Sequence, residues 1–323
     1  MKVLLTGAFG NIGESALKAL LQQEHEILCF DLETKQNKKT MKKVSKLGTF
    51  QTRWGDICDP ETVSEITDGR ECILHLAAII PPMSEKKPDL ARKVNVGGMK
   101  NIINAAKKQK YQPKFILTSS ISMYGPRKPG LPPLRADDPL NPTDNYTHHK
   151  VECEDLLKNS GLPWTILRLG ACPPQKLQTE GLDILFEIPL EQRVEFVHTR
   201  DVGQALANAV TANTNHKILL IGGGKSCQML NREFTKTMLE ANSIGMFPES
   251  AFKVPKDAND WYYIDWMDTT EAQELLHFQN LTIEDHFADV RKNLGWKRYF
   301  FKLMSRIIRW YMLKKSAYYK KKN

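Results

Sequence analysis

The 323-residue sequence predicts an α/β protein organised around a doubly wound parallel sheet. Two observations carry that prediction. Short apolar runs of strand length alternate with stretches of helical periodicity through the first two-thirds of the chain. The first of these strands runs into a glycine-rich loop that opens a helix, the arrangement of a ligand-binding βα turn. The composition, 41% hydrophobic and 26% charged, is that of an ordinary globular protein with a core of its own.

The elements follow in order. Lys2–Thr6 is a short apolar strand and Asn11–Gln23 a helix. Glu26–Phe30 is a second strand, ending at Asp31. Lys35–Lys46 is a lysine-rich surface stretch. Phe50–Trp54 is a strand before the Gly55-Asp56 turn, Pro60–Thr67 a helix and Cys72–Leu76 a buried strand. Asp89–Lys108 has helical periodicity at Val94, Ile102, Ile103 and Ala106. Lys114–Thr118 is a strand, Asp144–Asn159 a helix and Trp164–Leu169 a sixth strand. After Gly170 the pattern changes, with prolines and short segments from Pro173 to Pro189. A segment at Val194–Val197 leads to a helix at Asp201–Thr211, and Lys217–Ile221 is one more strand. The rest, to about Gly295, reads as helices and loops. The implied division is a dinucleotide-binding unit over 1–170, completed by about 198–225. A smaller C-terminal substrate-binding region over 171–197 and 226–295 packs on the sheet's carboxyl edge. A tail over 296–323 follows.

Composition excludes several classes. The formal charge is +9, yet residues 297–323 hold ten bases and no acid, and the remaining chain carries −1. A basic field over the whole molecule is absent, so nucleic acid is not the expected partner. The six cysteines are scattered without a CxxC, which argues for buried reduced thiols rather than a disulfide framework or a zinc site. No metal-ligand spacing occurs. No run approaches the roughly 18 apolar residues of a membrane span, and no signal-peptide pattern opens the chain. A cytoplasmic protein is expected.

Two constellations carry chemistry. In Thr6-Gly7-Ala8-Phe9-Gly10-Asn11-Ile12-Gly13, Gly7 permits a tight turn, Gly10 lets backbone approach a phosphate and Gly13 lets the helix pack against the strand. Asp31 follows Gly13 by 18 residues at the end of the second strand, placed to accept from ribose hydroxyls. Its charge repels a 2′-phosphate and favours NAD, with NADP the alternative because Lys35, Lys38 and Lys39 are near. The second constellation is Tyr146 and Lys150, at i and i+4 on one helix face. Lys150 is expected to lower the phenol pKa and to bind nicotinamide ribose, Tyr146 to move a proton as general acid or base, and Ser120 to hold the substrate oxygen. Ser119 is taken with Ser120 and Tyr146 as substrate-binding. His148 and His149 read as rim residues.

On these residues the chain resembles the extended short-chain dehydrogenase/reductases, in the NAD-dependent epimerase/dehydratase group. Asp56-Ile57, His75-Leu76-Ala77-Ala78, Asn95, Arg168 and His198-Thr199-Arg200-Asp201-Val202 extend the match. The resemblance implies a Rossmann-type fold, an adenine contact at Asp56 and Ile57, a cofactor-lining loop at Leu76, Ala77 and Ala78, a further cofactor position at Asn95, and a homodimer. Departures matter as much. Thr118-Ser119-Ser120 replaces the Thr-Asp-Glu of the dehydratases. Ala171 and Val194 replace an asparagine and an arginine that grip nucleotide-sugar phosphates, with Arg193 one residue away as a substitute. The expected activity is hydride transfer at a carbonyl/alcohol carbon of a small molecule. A nucleotide-sugar epimerase is the alternative, and a non-catalytic NAD(P)-binding module the third reading.

The tail reads as a basic amphipathic helix. Phe300, Phe301, Leu303, Met304, Ile307, Ile308, Trp310 and Tyr311 share one half, and Lys302, Ser305, Arg306 and Arg309 the other. Docking on the body or a second subunit, peripheral contact at the inner face of an anionic membrane, and nucleic-acid binding are its three readings.

Overall fold

The computed structural model describes residues 1–173 and 184–319. In chain order its elements are β1 (Lys2–Thr6), α1 (Asn11–Leu20), β2 (Glu26–Asp31), α2 (Lys35–Val44), β3 (Gln51–Trp54), α3 (Pro60–Thr67) and β4 (Cys72–His75). Next come α4 (Met83–Lys86), α5 (Pro88–Arg92), α6 (Gly98–Lys107), β5 (Lys114–Ser120), α7 (Asn145–Lys158) and β6 (Trp164–Leu169). Then follow α8 (Ile184–Glu187), β7 (Arg193–Glu195), α9 (Thr199–Thr211), β8 (Lys217–Ile221) and β9 (Gln228–Leu230). The chain closes with α10 (Asn231–Ala241), α11 (Thr270–Leu276), α12 (Ile283–Leu294) and α13 (Lys297–Leu313).

Seven strands pair in the order β3-β2-β1-β4-β5-β6-β8, every pair parallel. The order reverses between β1 and β4, where Thr6 stands beside His75. Open α/β sheets bind ligands at such a switch point, above the carboxyl ends of the strands. Side chains alternate across the sheet. Val3 and Leu5 join the core under α1 and α9, whereas Leu4 and Ile73 join the core under α3, α6 and α7. Both faces are therefore covered, and the strands other than the edge strand β3 read as apolar runs.

Three differences from the sequence expectation have local causes. Lys35–Val44 is a helix, because Thr34 caps it by accepting from the Asn37 N–H at 3.0 Å. Asp89–Lys108 is not one helix: a π-helical turn at Lys93–Gly97 separates α5 from α6. The Val194–Val197 segment enters the strand β7, which pairs antiparallel with β9, a strand too short to announce itself by alternation. Of the proline-rich Pro173–Pro189 stretch, residues 174–183 lie outside the described part, as do Lys320, Lys321 and Lys322 of the tail. All six cysteines are free thiols.

The region beyond β6 has its own small cores. Phe196, Cys227, Ile283 and Phe287 form one. Phe186, Leu239, Phe247, Phe252 and Met312 form another, so the last helix is part of this region's packing. The motif at His198 ties the two regions together. His198 caps α9, and Asp201 accepts from the Asn280 and Leu281 N–H groups at 3.2 and 3.0 Å.

Candidate active site

The loop between β1 and α1 is shaped by two glycines. Gly7 has a φ of 67°, and a Cβ there would stand 2.9 Å from the Ala77 backbone nitrogen. At Gly13 a Cβ would stand 2.0 Å from the Gly7 carbonyl oxygen, so α1 cannot seat against the loop with any side chain at that position. By contrast, a Cβ on Gly10 would meet only Gly7 O at 3.5 Å. Gly10 caps α1 without a side-chain bond, so no capping side chain occupies the first N–H groups of the helix, those of Asn11 and Ile12. Phe9 supplies only backbone there. Its ring is buried 5.2 Å from that of Trp54.

A cavity of about 330 Å³ opens on this loop. It gathers Gly7, Gly10, Asp31, Asp56, Ile57, Leu76, Ala77 and Ala78, residues that come from four different strand ends. Asp31 is held firmly: Oδ2 accepts from Phe9 N–H at 2.9 Å and Oδ1 from the Asn37 amide at 3.0 Å. Burial raises its pKa, and the Phe9 and Leu32 N–H groups oppose that. Sequence reading missed Asn37, Ile79, Leu90 and Val94 on this wall. Asn37 lay in a stretch read only for its lysines. Asn95 is not on the wall. It is buried, and its amide clasps Ile79, accepting from N at 2.7 Å and donating to O at 2.9 Å. That clasp sets the loop that follows β4.

The neighbouring strand, β5, carries the hydroxyl and α7 the phenol. Asp144 caps α7 in a capping box with Thr147, and Glu85 accepts from the Asn145 and Tyr146 N–H groups at 3.2 and 3.3 Å. Ser120 Oγ bonds the Tyr146 phenol and lies 2.8 Å from Ser122 Oγ. Lys150 is buried, its Nζ 5.7 Å from the Tyr146 ring centre and donating to Thr118 O at 2.8 Å. Burial pushes the phenol above its ordinary pKa, and the Ser120 bond pulls the other way. The direction is thus set by burial, opposite to the lowering expected from Lys150. Burial also lowers the Lys150 ammonium itself.

Ser119, His149 and Arg193 depart from expectation, whereas His75 is the strand-end packing residue it was read as. Ser119 does not join Ser120. Adjacent residues on a strand face opposite sides, and Ser119 Oγ is buried, donating to Met123 Sδ at 3.5 Å. Ser122, two residues on, is the serine that stands beside Ser120. His149 is buried, 3.5 Å from the Asn95 amide, and only His148 is exposed. His75 is a buried strand-end residue, 2.8 Å from Thr6 Oγ1, its pKa pushed down to about 3 by burial and by Lys150. Arg168 is structural, paired with Glu154 at 2.7 Å and donating to Tyr124 and Ala136. Arg193 does not substitute for the missing phosphate grip. It is committed to buried Asp265 at 2.8 Å and lies over the Trp266 ring at 4.8 Å. Beyond the first turn of α7, a cavity of about 470 Å³ is lined by Asn141, Thr143, Glu187, Trp261, Tyr262 and Tyr263, among others. The rings of Tyr262 and Tyr263 stack at 4.1 Å.

Known proteins resemble this arrangement. UDP-glucose 4-epimerase of Lactobacillus helveticus is 31% identical over 176 residues, 52% of this chain and 51% of its own. The 3 beta-hydroxysteroid dehydrogenase type 7 of Mus musculus is 26% identical over 236 residues, 68% of this chain and 60% of its own. The chain thus spans about half the length of the first of these curated relatives and 60% of the second. Among solved structures, a UDP-glucuronic acid 4-epimerase variant from Bacillus cereus, in complex with NAD and a fluorinated UDP-sugar, superposes with a TM-score of 0.74. It is 22% identical and covers 91% of this chain and 100% of its own, a likeness of fold. The model of the NAD dependent epimerase/dehydratase family matches residues 3–172, the span that holds the glycine loop, Asp31, Ser120, Tyr146 and Lys150, and the chain belongs to that family.

Proposed function

We propose that this chain is an NAD(P)-dependent oxidoreductase of the extended short-chain dehydrogenase/reductase type, acting at a carbonyl/alcohol carbon of a small molecule. The observation that carries the reading is the meeting of Ser120, Tyr146 and Lys150 one strand over from the glycine-lined cavity. That cavity fits a dinucleotide. Its glycines leave room where a side chain would stand, and Gly10, on its wall, begins a helix whose first N–H groups no side chain caps. Gly7, Phe9, Gly10, Asn11, Ile12 and Gly13 would hold the pyrophosphate by backbone. Asp31 would hold the adenosine ribose, Asp56 and Ile57 the adenine, and Lys150 the nicotinamide ribose. Leu76, Ala77 and Ala78 would line the middle, on the loop that Asn95 clasps. When bound, the dinucleotide supplies or accepts hydride.

The chain's own part is proton chemistry. A phenol above its ordinary pKa stays protonated near neutral pH. Tyr146 is then poised to donate its proton to a substrate carbonyl oxygen, which Ser120 holds by a second hydrogen bond. The reverse direction returns the proton to Tyr146. NAD is favoured over NADP by the Asp31 carboxylate. Commitment of Arg193 to Asp265, with alanine and valine at 171 and 194, favours a dehydrogenase or reductase over the nucleotide-sugar epimerase. The reading includes a homodimer, which sedimentation velocity distinguishes from a monomer. It also includes a cytoplasmic location with residues 297–323 in peripheral contact with the inner face of a membrane.

The test is turnover of a carbonyl/alcohol panel followed by nicotinamide absorbance. Tyr146→Phe is expected to lose about 10²- to 10⁴-fold in turnover while still binding NADH. Near-parental turnover in that variant sinks the assignment. Substrate conversion with no net change in NADH turns the reading to an epimerase, and cofactor binding with no turnover turns it to a non-catalytic module.

A further inference from the structure

The tail helix has two apolar faces, and only one is used by the fold. Ile308, Met312 and Leu313 pack against Phe186, Phe247 and Phe252, with Met312 1% exposed. Ser316 and Tyr318, just after α13, are tied down as well. Ser316 Oγ donates to Ala251 O at 2.6 Å, and the Tyr318 hydroxyl donates to Glu187 at 2.5 Å. A second row, Trp296, Phe300, Leu303, Ile307, Trp310 and Tyr311, is exposed by 50% to 82%. Its spacing of three and four residues makes it one continuous stripe, turned roughly 140° about the axis from the packed row. The bases Arg298, Lys302 and Arg306 are exposed on the remaining arc. At the seam between stripe and bases lies a cavity of about 420 Å³, where Arg306, Arg309 and Lys314 face Trp310, Leu313 and Tyr319.

We infer that α13 seats the protein on an anionic lipid bilayer through the Trp296–Tyr311 stripe. Charge and shape together choose that occupant. Residues 297–323 carry no acid, so the partner is anionic. A second copy of the helix would bring the same positive charge and repel. A nucleic acid would satisfy the bases and leave Leu303, 82% exposed, and Ile307 in water. A bilayer of anionic phospholipid offers phosphate to the bases, an apolar layer to Leu303 and Ile307, and a headgroup level where tryptophan and tyrosine settle. The seam cavity, cationic on one side and aromatic on the other, matches the boundary between phosphate and acyl chain. No described helix is long and apolar enough to cross a membrane, so the contact is peripheral. The inference rests on the peripheral contact in the reading above and names its residues and its lipid charge.

The test pellets the full chain with phosphatidylcholine vesicles and with vesicles rich in phosphatidylglycerol. Two double variants, Leu303→Asp/Ile307→Asp and Lys302→Glu/Arg306→Glu, accompany it. The parent is expected to pellet with the anionic vesicles only, with a blue shift of tryptophan emission. The charge reversal is expected to weaken binding by at least about thirty-fold, from roughly five-fold for each of the two bases lost. The aspartate pair is expected to abolish pelleting at an unchanged melting temperature, since both side chains are exposed. A parent that stays in solution overturns the inference, as does an aspartate pair that pellets like the parent. A lipid-free dimer that the aspartate pair dissociates also overturns it, because a second copy then covers the stripe. Turnover measured on the same samples separates this from the redox reading: a soluble active chain loses only the seat, and a pelleting inactive chain loses only the chemistry.

Discussion

Gly13 is the residue whose substitution has the plainest consequence. Its missing Cβ is replaced by the Gly7 carbonyl at 2.0 Å, backbone against backbone, with nothing flexible to yield. Gly13→Ala is expected to destabilise the fold by about 1–3 kcal/mol as an overpacked contact and to abolish NADH binding. Thermal melts and fluorescence titration of NADH check both. Arg193 gives a second residue-scale prediction. Asp265 is 1% exposed and relies on Arg193, with Arg127 at 3.3 Å as its other cation. Arg193→Ala is expected to cost about 1–3 kcal/mol by taking one of two cations from a buried carboxylate, read as a lower denaturation midpoint. A role in phosphate binding would instead leave stability intact. At this scale the sequence was legible where spacing is local. The glycine loop, Asp31 and the i, i+4 pair of Tyr146 and Lys150 needed only chain geometry. Ser119 was misread because it faces the side of the strand opposite to Ser120, and Arg193 because its partner Asp265 lies 72 residues away in the chain.

For the elements, position of the phenol depends on how α7 begins. Asp144 Oδ1 accepts from Thr147 N–H at 2.7 Å, and Glu85, on α4, holds the two N–H groups before it, those of Asn145 and Tyr146. Glu85→Ala removes a contact that spans about sixty residues of chain and touches no reacting atom. It is expected to lower kcat several-fold with little change in the NADH dissociation constant. Glu85→Gln, which keeps an acceptor for those N–H groups, is expected to restore most of kcat. A variant that lowers NADH affinity and kcat together would count against a positioning role. Six of the seven parallel strands were readable as apolar runs, and β3, Gln51-Thr52-Arg53-Trp54, from its place before the Gly55-Asp56 turn. Strand β9 and the π-helical turn were not: three residues cannot show a period, and the turn carries Asn95, whose clasp on Ile79 is a contact made across the fold. Packing of Ile308 and Met312 was equally invisible, since the helical wheel shows how wide an apolar arc is and not how it is shared.

The whole molecule should lose stability in mild acid. His75 and His286 are buried, with pKa values pushed down to about 3 and about 4 by burial. Unfolded, both would titrate near 6.5. Between these limits the unfolded chain binds more protons, so stability is full above about pH 6.5 and falls as pH drops toward 4. Asp201 acts with the opposite sign. Burial raises it to about 6, so it costs stability as pH rises from about 4 to 6. Two imidazoles against one carboxyl leave a net loss on acidification. Urea midpoints at pH 7.5 and 5 check this, and a midpoint that rises on acidification contradicts it.

One consequence of the shared helix concerns how the protein can be handled. Met312 and Ile308 are part of the core that covers Phe186, Phe247 and Phe252. Cutting the chain after Gly295 would bare those three rings, and such a shortened protein should clump during expression. Recolouring the outer stripe with polar side chains leaves that core shut and should make the protein easier to concentrate. Trimming and polishing the same helix are therefore opposite operations, and the second is the route to a well-behaved sample.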